Sequence, residues 1–269
     1  MARFDTAQVW LDAKRFEQPA LMGALHSQTS GAGEIFSFEY SREWLEREEA
    51  FAFDPDLALV AGSQYSAPQR ANFGIFLDSS PDRWGRMLMQ RRENLRARRE
   101  RRRPRALTEW DFLLGVHDLT RMGALRFRAS ADSPFLDSDT GMAAPPIASL
   151  QELQAASFGF EKHLQDEDNP YYERWLTQLL APGSSLGGAR PKASVRDEKG
   201  FLCIAKFPSR QDTRDMARGN WWLTGWRQKP ASTSRKPGRC AWGRVRTPHF
   251  WRNDSTGRPT ENGARSSPP

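Results

Sequence analysis

Paired glycines ahead of two short strands constrain this chain more than any other stretch. Gly183-Ser184-Ser185-Leu186-Gly187-Gly188-Ala189-Arg190-Pro191-Lys192-Ala193-Ser194-Val195 is followed at short range by Phe201-Leu202-Cys203-Ile204-Ala205-Lys206-Phe207. The pattern reads as a glycine-rich turn, a strand, a tight turn at Asp197-Glu198-Lys199-Gly200, and a second strand carrying one lysine, Lys206. Glycine has no Cβ, so successive N–H groups can close on an anion. A strand lysine can add a point charge to the same phosphates, as one does in protein kinases. A glycine-rich loop alone is equally an ordinary turn. The lysine strand behind it favours the anion reading.

The N-terminal part reads as a small antiparallel sheet. Gln8–Asp12 and Ala20–Leu25 have strand character, and Ile35–Tyr40 alternates, with Phe36, Phe38 and Tyr40 on one face. Ser41 is placed to cap a brief helix over 42–48, with Trp44 and Leu45 turned inward. Ser79-Ser80-Pro81-Asp82 reads as a helix start: a cap, a proline at the first helical position and an acid in the first turn. Trp84, Met87, Leu88 and Arg91 follow at helical spacing.

That helix runs into an arginine-dense segment, Arg91 to Arg103. One reading is a nucleic-acid contact, since clustered arginines neutralise phosphates and release counterions. The other is a solvated helix extension with Glu–Arg pairs at i,i+3 and i,i+4. Glu93 and Glu100 interrupt the run and favour the second. No Phe or Tyr interleaves it, which argues against a base-stacking platform.

Thr108 begins another helix with Trp110, Leu113 and Leu114 as its apolar stripe, and Gly123–Arg128 reads as a strand. His117, beside Asp118, suits a loop or capping role better than catalysis. Residues 129–146 turn to Ser, Asp, Ala, Gly and Pro, the composition of a linker or surface loop. Helical periodicity returns over Ile147–Ala156 (Leu150 and Leu153 inward) and Tyr171–Leu180 (Trp175, Leu176, Leu179 and Leu180 inward). The acidic segment between them, Glu161–Asn169, reads as exposed.

Two cysteines, Cys203 and Cys240, without a CxxC or histidine cluster, argue against a structural metal or a disulfide scaffold. Met1–Asp5 has no apolar leader, and no run reaches membrane-spanning length, so a cytoplasmic setting is expected. A net charge of +7 makes a polyanion partner conceivable, although the charge is unevenly spread.

Ser184-Ser185-Leu186-Gly187-Gly188-Ala189-Arg190-Pro191-Lys192-Ala193 followed by Ile204-Ala205-Lys206-Phe207-Pro208-Ser209 resembles the nucleotide loop and lysine strand of HipA-family serine/threonine kinases, the toxins of bacterial toxin–antitoxin pairs. The resemblance extends to Asp82-Arg83-Trp84-Gly85-Arg86 and Gly123-Ala124-Leu125-Arg126-Phe127, and covers roughly residues 5–215. It implies an α+β fold: a HipA-like N-terminal subdomain built on a small antiparallel sheet over 1–128, a linker over 129–146, and a partial kinase N-lobe with the ATP loop over 147–215. By the same resemblance Gly187, Gly188 and Ala189 would line the ATP phosphates, Lys192 would stand at the loop's end, and Lys206 would match the strand lysine. Ser185 would match the serine that family members phosphorylate on themselves; two added negative charges there would repel ATP phosphates. Without the resemblance Ser185 is a turn-forming serine. ATP and Mg2+ are the implied cofactors. A HipB-like antitoxin and a protein substrate are the implied partners, with DNA reached only through the antitoxin.

After Asp215 the character changes. Met216–Pro269 holds five of the ten tryptophans, many arginines and prolines, few acids and no periodic apolar pattern. The family pattern would continue with a Trp-Glu-Leu helix and a strand ending Lys-Arg-Phe-Asp-Arg. Tryptophan has a single codon, so Arg218–Trp226 constrains its own DNA, and another reading frame permits that helix. The same shift at Thr247–Ser255 permits that strand. The expectation is an out-of-frame, disordered tail over 216–269, with a genuinely divergent tail as the alternative. Phosphoryl transfer needs an aspartate base and an Asp and Asn to hold magnesium, which this family carries on its C-lobe. An inactive kinase fragment lacking that lobe is therefore expected, with ATP-holding residues but no catalytic residues or metal ligands. A non-catalytic module binding the antitoxin–DNA complex is the alternative, and a basic nucleic-acid binder using Arg91–Arg105 the third possibility.

Overall fold

A computed structural model of the chain describes residues 3–30, 33–138, 149–183 and 188–210. Five strands form one antiparallel sheet in the order β4-β3-β2-β1-β5, from β1 (Arg3–Leu11), β2 (Ala20–Ser30), β3 (Gly33–Tyr40), β4 (Gln64–Tyr65) and β5 (Leu125–Arg128). The first three strands are longer than their sequence signals, because β1, β2 and β3 pair as consecutive antiparallel neighbours along nearly their whole length. A register shift between Val9 and Trp10 lies opposite Gly23. A Cβ on Gly23 would fall 2.0 Å from the Glu39 carbonyl oxygen, so only glycine fits there.

Phe36, Phe38 and Tyr40 are buried on the inner face of β3, as their alternation predicts. They meet Val9, Met22, Leu25 and Phe127 from the other strands, with Trp44, Phe76, Trp110 and Leu113 laid over them. Ser41 caps α1 (Arg42–Leu45) by accepting the Trp44 N–H at 3.1 Å, which turns Trp44 into this core. Leu45 packs partly buried against the same cluster. Thr108 and Asp111 form a reciprocal capping box at the start of α4 (Glu109–Leu114). Glu34 of β3 also accepts the Glu109 N–H at 2.9 Å, tying helix to sheet. His117 has the capping role expected of it: its Nδ1 accepts the Leu119 N–H at 3.2 Å and opens a short 3-10 turn.

A helix does start directly after Ser79–Asp82, but these residues have other roles than the motif implies. Ser79 and Ser80 close an earlier helix that the sequence did not signal, α2 (Gly74–Asp78), by donating their hydroxyls to the Ile75 and Phe76 carbonyls. Pro81 lies outside α3 (Arg83–Arg99), and Asp82 is its N-cap residue without a side-chain cap bond. The Asp82 carboxylate is engaged elsewhere, as the site geometry shows.

A second core joins α3 to α5 (Leu150–Lys162) and α6 (Tyr172–Gly183). Trp84, Leu88 and Met89 of α3 pack with Phe160 of α5 and with Tyr172, Leu176, Leu179 and Leu180 of α6. Leu153 is buried as its spacing predicts. Within 129–146 the first part folds back: Phe135 bridges Arg128, and the Leu136 N–H donates to Phe127. The remaining two strands, β6 (Lys192–Arg196) and β7 (Leu202–Lys206), form a hairpin. Its tight turn is the expected one, with Gly200 at φ +80° and the Asp197 carboxylate accepting the Lys199 and Phe201 N–H groups. The expected tail, 216–269, lies outside the described residues.

The segment Glu161–Asn169 is less exposed than expected. Glu167 receives the Arg91 guanidinium at 2.7 Å and that of Arg98 at 3.0 Å, and Glu161 receives the Ser209 hydroxyl and the Arg210 N–H. Glu167 faces arginines of α3 and Glu161 faces residues that follow β7, pairings that no local pattern shows. Among the described residues no helix is long and apolar enough to cross a membrane.

Candidate phosphate-binding site

Pro191 and the hairpin termini bring the sequence-predicted residues to one end of β6–β7. Lys192 is the first residue of β6 and stands directly opposite Lys206, the last of β7. Directly opposed residues of an antiparallel pair share a face, so both amines belong to the same side of the hairpin. Lys192 is buried (7 % exposed) and Lys206 is exposed. Burial pushes the Lys192 ammonium below the ordinary lysine range, and the neighbouring Lys206 charge pushes it further, while Asp82 opposes both.

Gly188, four residues before Lys192, has φ +93°, a conformation that favours glycine. A Cβ built there would lie 2.6 Å from Lys192 Nζ, so the lysine reaches back along the glycine turn. The Gly188 N–H donates to Asp82 Oδ2 at 2.5 Å, and the Gly188 carbonyl accepts the Trp84 N–H at 3.1 Å. The Trp84 indole donates to the Lys192 carbonyl at 3.2 Å. Three hydrogen bonds from the start of α3 therefore grip both ends of the segment Gly188–Lys192. The indole is itself fixed, being 2 % exposed and edge-on to Phe160 with ring centroids 6.3 Å apart. Ala189 is exposed beside Gly188. Gly187 and Ser185 lie outside the described residues.

The arrangement has the elements of an oxyanion cradle: a glycine N–H already directed at a carboxylate oxygen, a buried ammonium behind it and an exposed ammonium across the hairpin. Among the described residues no group of three or more His, Cys, Asp or Glu side chains is placed to hold a metal ion. Asp82 and Trp84 are the site residues that reasoning from the sequence missed. Their signal was an aspartate at a helix start followed closely by a tryptophan, which reads locally as capping and core.

The arginine-dense segment is mostly occupied by protein carboxylates. Arg96 pairs with Glu100 one turn on, Arg102 with Glu93 and Glu100, and Arg91 and Arg98 with Glu167. Hydrogen bonding from Arg102 holds the Glu93 carboxyl below its usual range. A cleft of about 520 Å³ opens beside this helix, with Met89, Leu107, Trp110 and Leu114 as apolar lining and Arg92 and Arg105 as polar lining. None of its lining residues belongs to the β6–β7 hairpin.

No protein-family model matches the chain, and no curated protein matches it.

Proposed function

We propose that Gly188–Lys206 is the phosphate-holding part of a HipA-like serine/threonine kinase N-lobe, which grips the phosphates of ATP through backbone N–H groups, Lys192 and Lys206. The observation that carries this reading is the seating of a carboxylate oxygen on the Gly188 N–H beside the Lys192–Lys206 pair. A carboxylate oxygen held by that N–H marks a place where a phosphate oxygen would find the same donor, with the two lysines beside it. Magnesium would accompany the nucleotide and screen its charge.

On this reading Gly188–Lys206 holds phosphate and does not itself carry out transfer. Aiming the γ-phosphoryl group needs an aspartate base and metal-holding Asp and Asn residues. No HxDxxxxN or DFG-like segment follows Arg210 in the sequence. A HipB-like antitoxin and a protein substrate belong to the same proposal through the family resemblance.

Titration of the full chain with ATP tests it. Binding that disappears in Lys206→Met and Lys192→Met supports the site, and labelled γ-phosphate is expected to enter neither the chain nor a generic protein substrate. Binding unaffected by both substitutions refutes the site. Incorporation of label that depends on Lys206 refutes the purely binding role.

A further inference from the structure

The start of α3 holds the glycine turn in two chemically different ways. Trp84 uses neutral donors, its N–H on the Gly188 carbonyl and its indole on the Lys192 carbonyl. Asp82 uses an anion on the Gly188 N–H at 2.5 Å. An aspartate at a helix N-cap ordinarily spends its carboxylate on the second or third N–H of its own helix. Asp82 makes no such bond, and its oxygen lies instead where an oxyanion ligand of the turn would place one.

Resting on the phosphate-binding reading above, we propose that the Asp82 carboxylate is a built-in competitor for the anion seat of the glycine turn, which an incoming phosphate must displace to reach Gly188 and Lys192. Both groups prefer the same partners, a backbone N–H and a nearby ammonium, and two anions cannot share one donor at hydrogen-bond distance without repulsion. Asp82 and Gly188 are both exposed, so a solvent anion reaches the seat without any packed element moving aside. The Trp84 bonds do not involve the carboxylate. The turn therefore stays anchored to α3 when Asp82 swings away, and the exchange is local. In the resting chain the Asp82 charge also opposes the effect of Lys206 on Lys192.

The alternative sign is equally concrete. If Asp82 merely shapes the turn for phosphate, its removal weakens binding. Isothermal titration of the full chain with sodium pyrophosphate, without divalent metal, separates the two. The wild type is compared with Asp82→Asn, which keeps the shape and removes the charge, and with Asp82→Ala, which also removes the acceptor. Competition predicts that both variants bind pyrophosphate about three- to tenfold more tightly than the wild type, a modest gain because the pair is exposed. Alanine should match or exceed asparagine, whose amide oxygen can still accept the Gly188 N–H. Thermal melts confirm that each variant is folded, and if alanine unfolds the chain the near-isosteric asparagine decides. Equal or weaker binding in the folded variants overturns the competition while leaving the phosphate site standing. No pyrophosphate binding by any of the three proteins removes the site itself, and the competition with it.

Discussion

Trp84 reaches across more than a hundred residues of sequence to bind the Lys192 carbonyl through its indole N–H. The same side chain is buried edge-on against Phe160, so the lysine end of the turn is fixed to the second core rather than to solvent. Replacing Trp84 by Phe keeps an aromatic ring but leaves a gap and removes the indole bond to the Lys192 carbonyl. The expected loss is about 2 kcal/mol in chemical denaturation, with ATP binding weakened in parallel. Unchanged stability would show that the indole bond is dispensable.

Gly188→Ala separates backbone strain from steric contact. The new methyl meets only the flexible end of Lys192, which can withdraw, whereas φ +93° costs a non-glycine residue about 1 kcal/mol or more. A small fall in melting temperature with a larger fall in phosphate affinity is expected, because Lys192 is displaced from the turn.

Lys192 carries a pH signature. Its pKa in the folded chain lies below the ordinary lysine value of 10.5, chiefly through burial and then through Lys206. The unfolded chain therefore binds the extra proton more readily, and the charge opposes folding at all pH values below the folded pKa. That penalty fades as pH rises from the folded pKa to 10.5. Lys192→Met should melt at or above the wild-type temperature at neutral pH, and its advantage should shrink in melts at higher pH.

The ion pairs of α3 should differ in weight according to burial. Arg91 and Glu167 leave 22 % and 16 % of their side chains exposed, against 68 % and 43 % for Arg96 and Glu100. Glu167→Ala takes the carboxylate from Arg91 and leaves Arg98 with Asp168, and should cost about 1–2 kcal/mol, whereas Glu100→Ala, in an exposed pair, should cost much less. Denaturant midpoints of the two variants provide the comparison. A duplex-DNA titration of Glu167→Ala against salt should also show a steeper dependence than the wild type, since cations now turned inward would be released.

Local chemistry was legible wherever a single element decides its own environment. The alternation of Phe36, Phe38 and Tyr40 predicts the buried face of β3, and Asp197 with Gly200 predicts the hairpin turn. Lys192 and Lys206 were legible as the ends of two strands, although their direct opposition required the register. The misreadings share a cause. Asp82, Glu167 and Glu161 are polar side chains whose partners lie 49 to 106 residues away, at Gly188, Arg91 and Arg210 respectively. Sequence periodicity reports burial of apolar faces and carries no trace of such long-range pairings. The serines before Pro81 failed for a related reason, since the motif that starts a helix also ends one when the preceding turn is already wound.

The shared core of α3, α5 and α6 means that the segments ending in β5 and beginning at α5 are held together by packing as well as by the backbone between them. Opening the backbone there would yield two fragments with complementary apolar surfaces, one contributing Trp84 and Leu88, the other Phe160 and Leu176. Expressed as separate polypeptides, such pieces should reassociate on mixing, and neither alone should preserve the grip on Gly188.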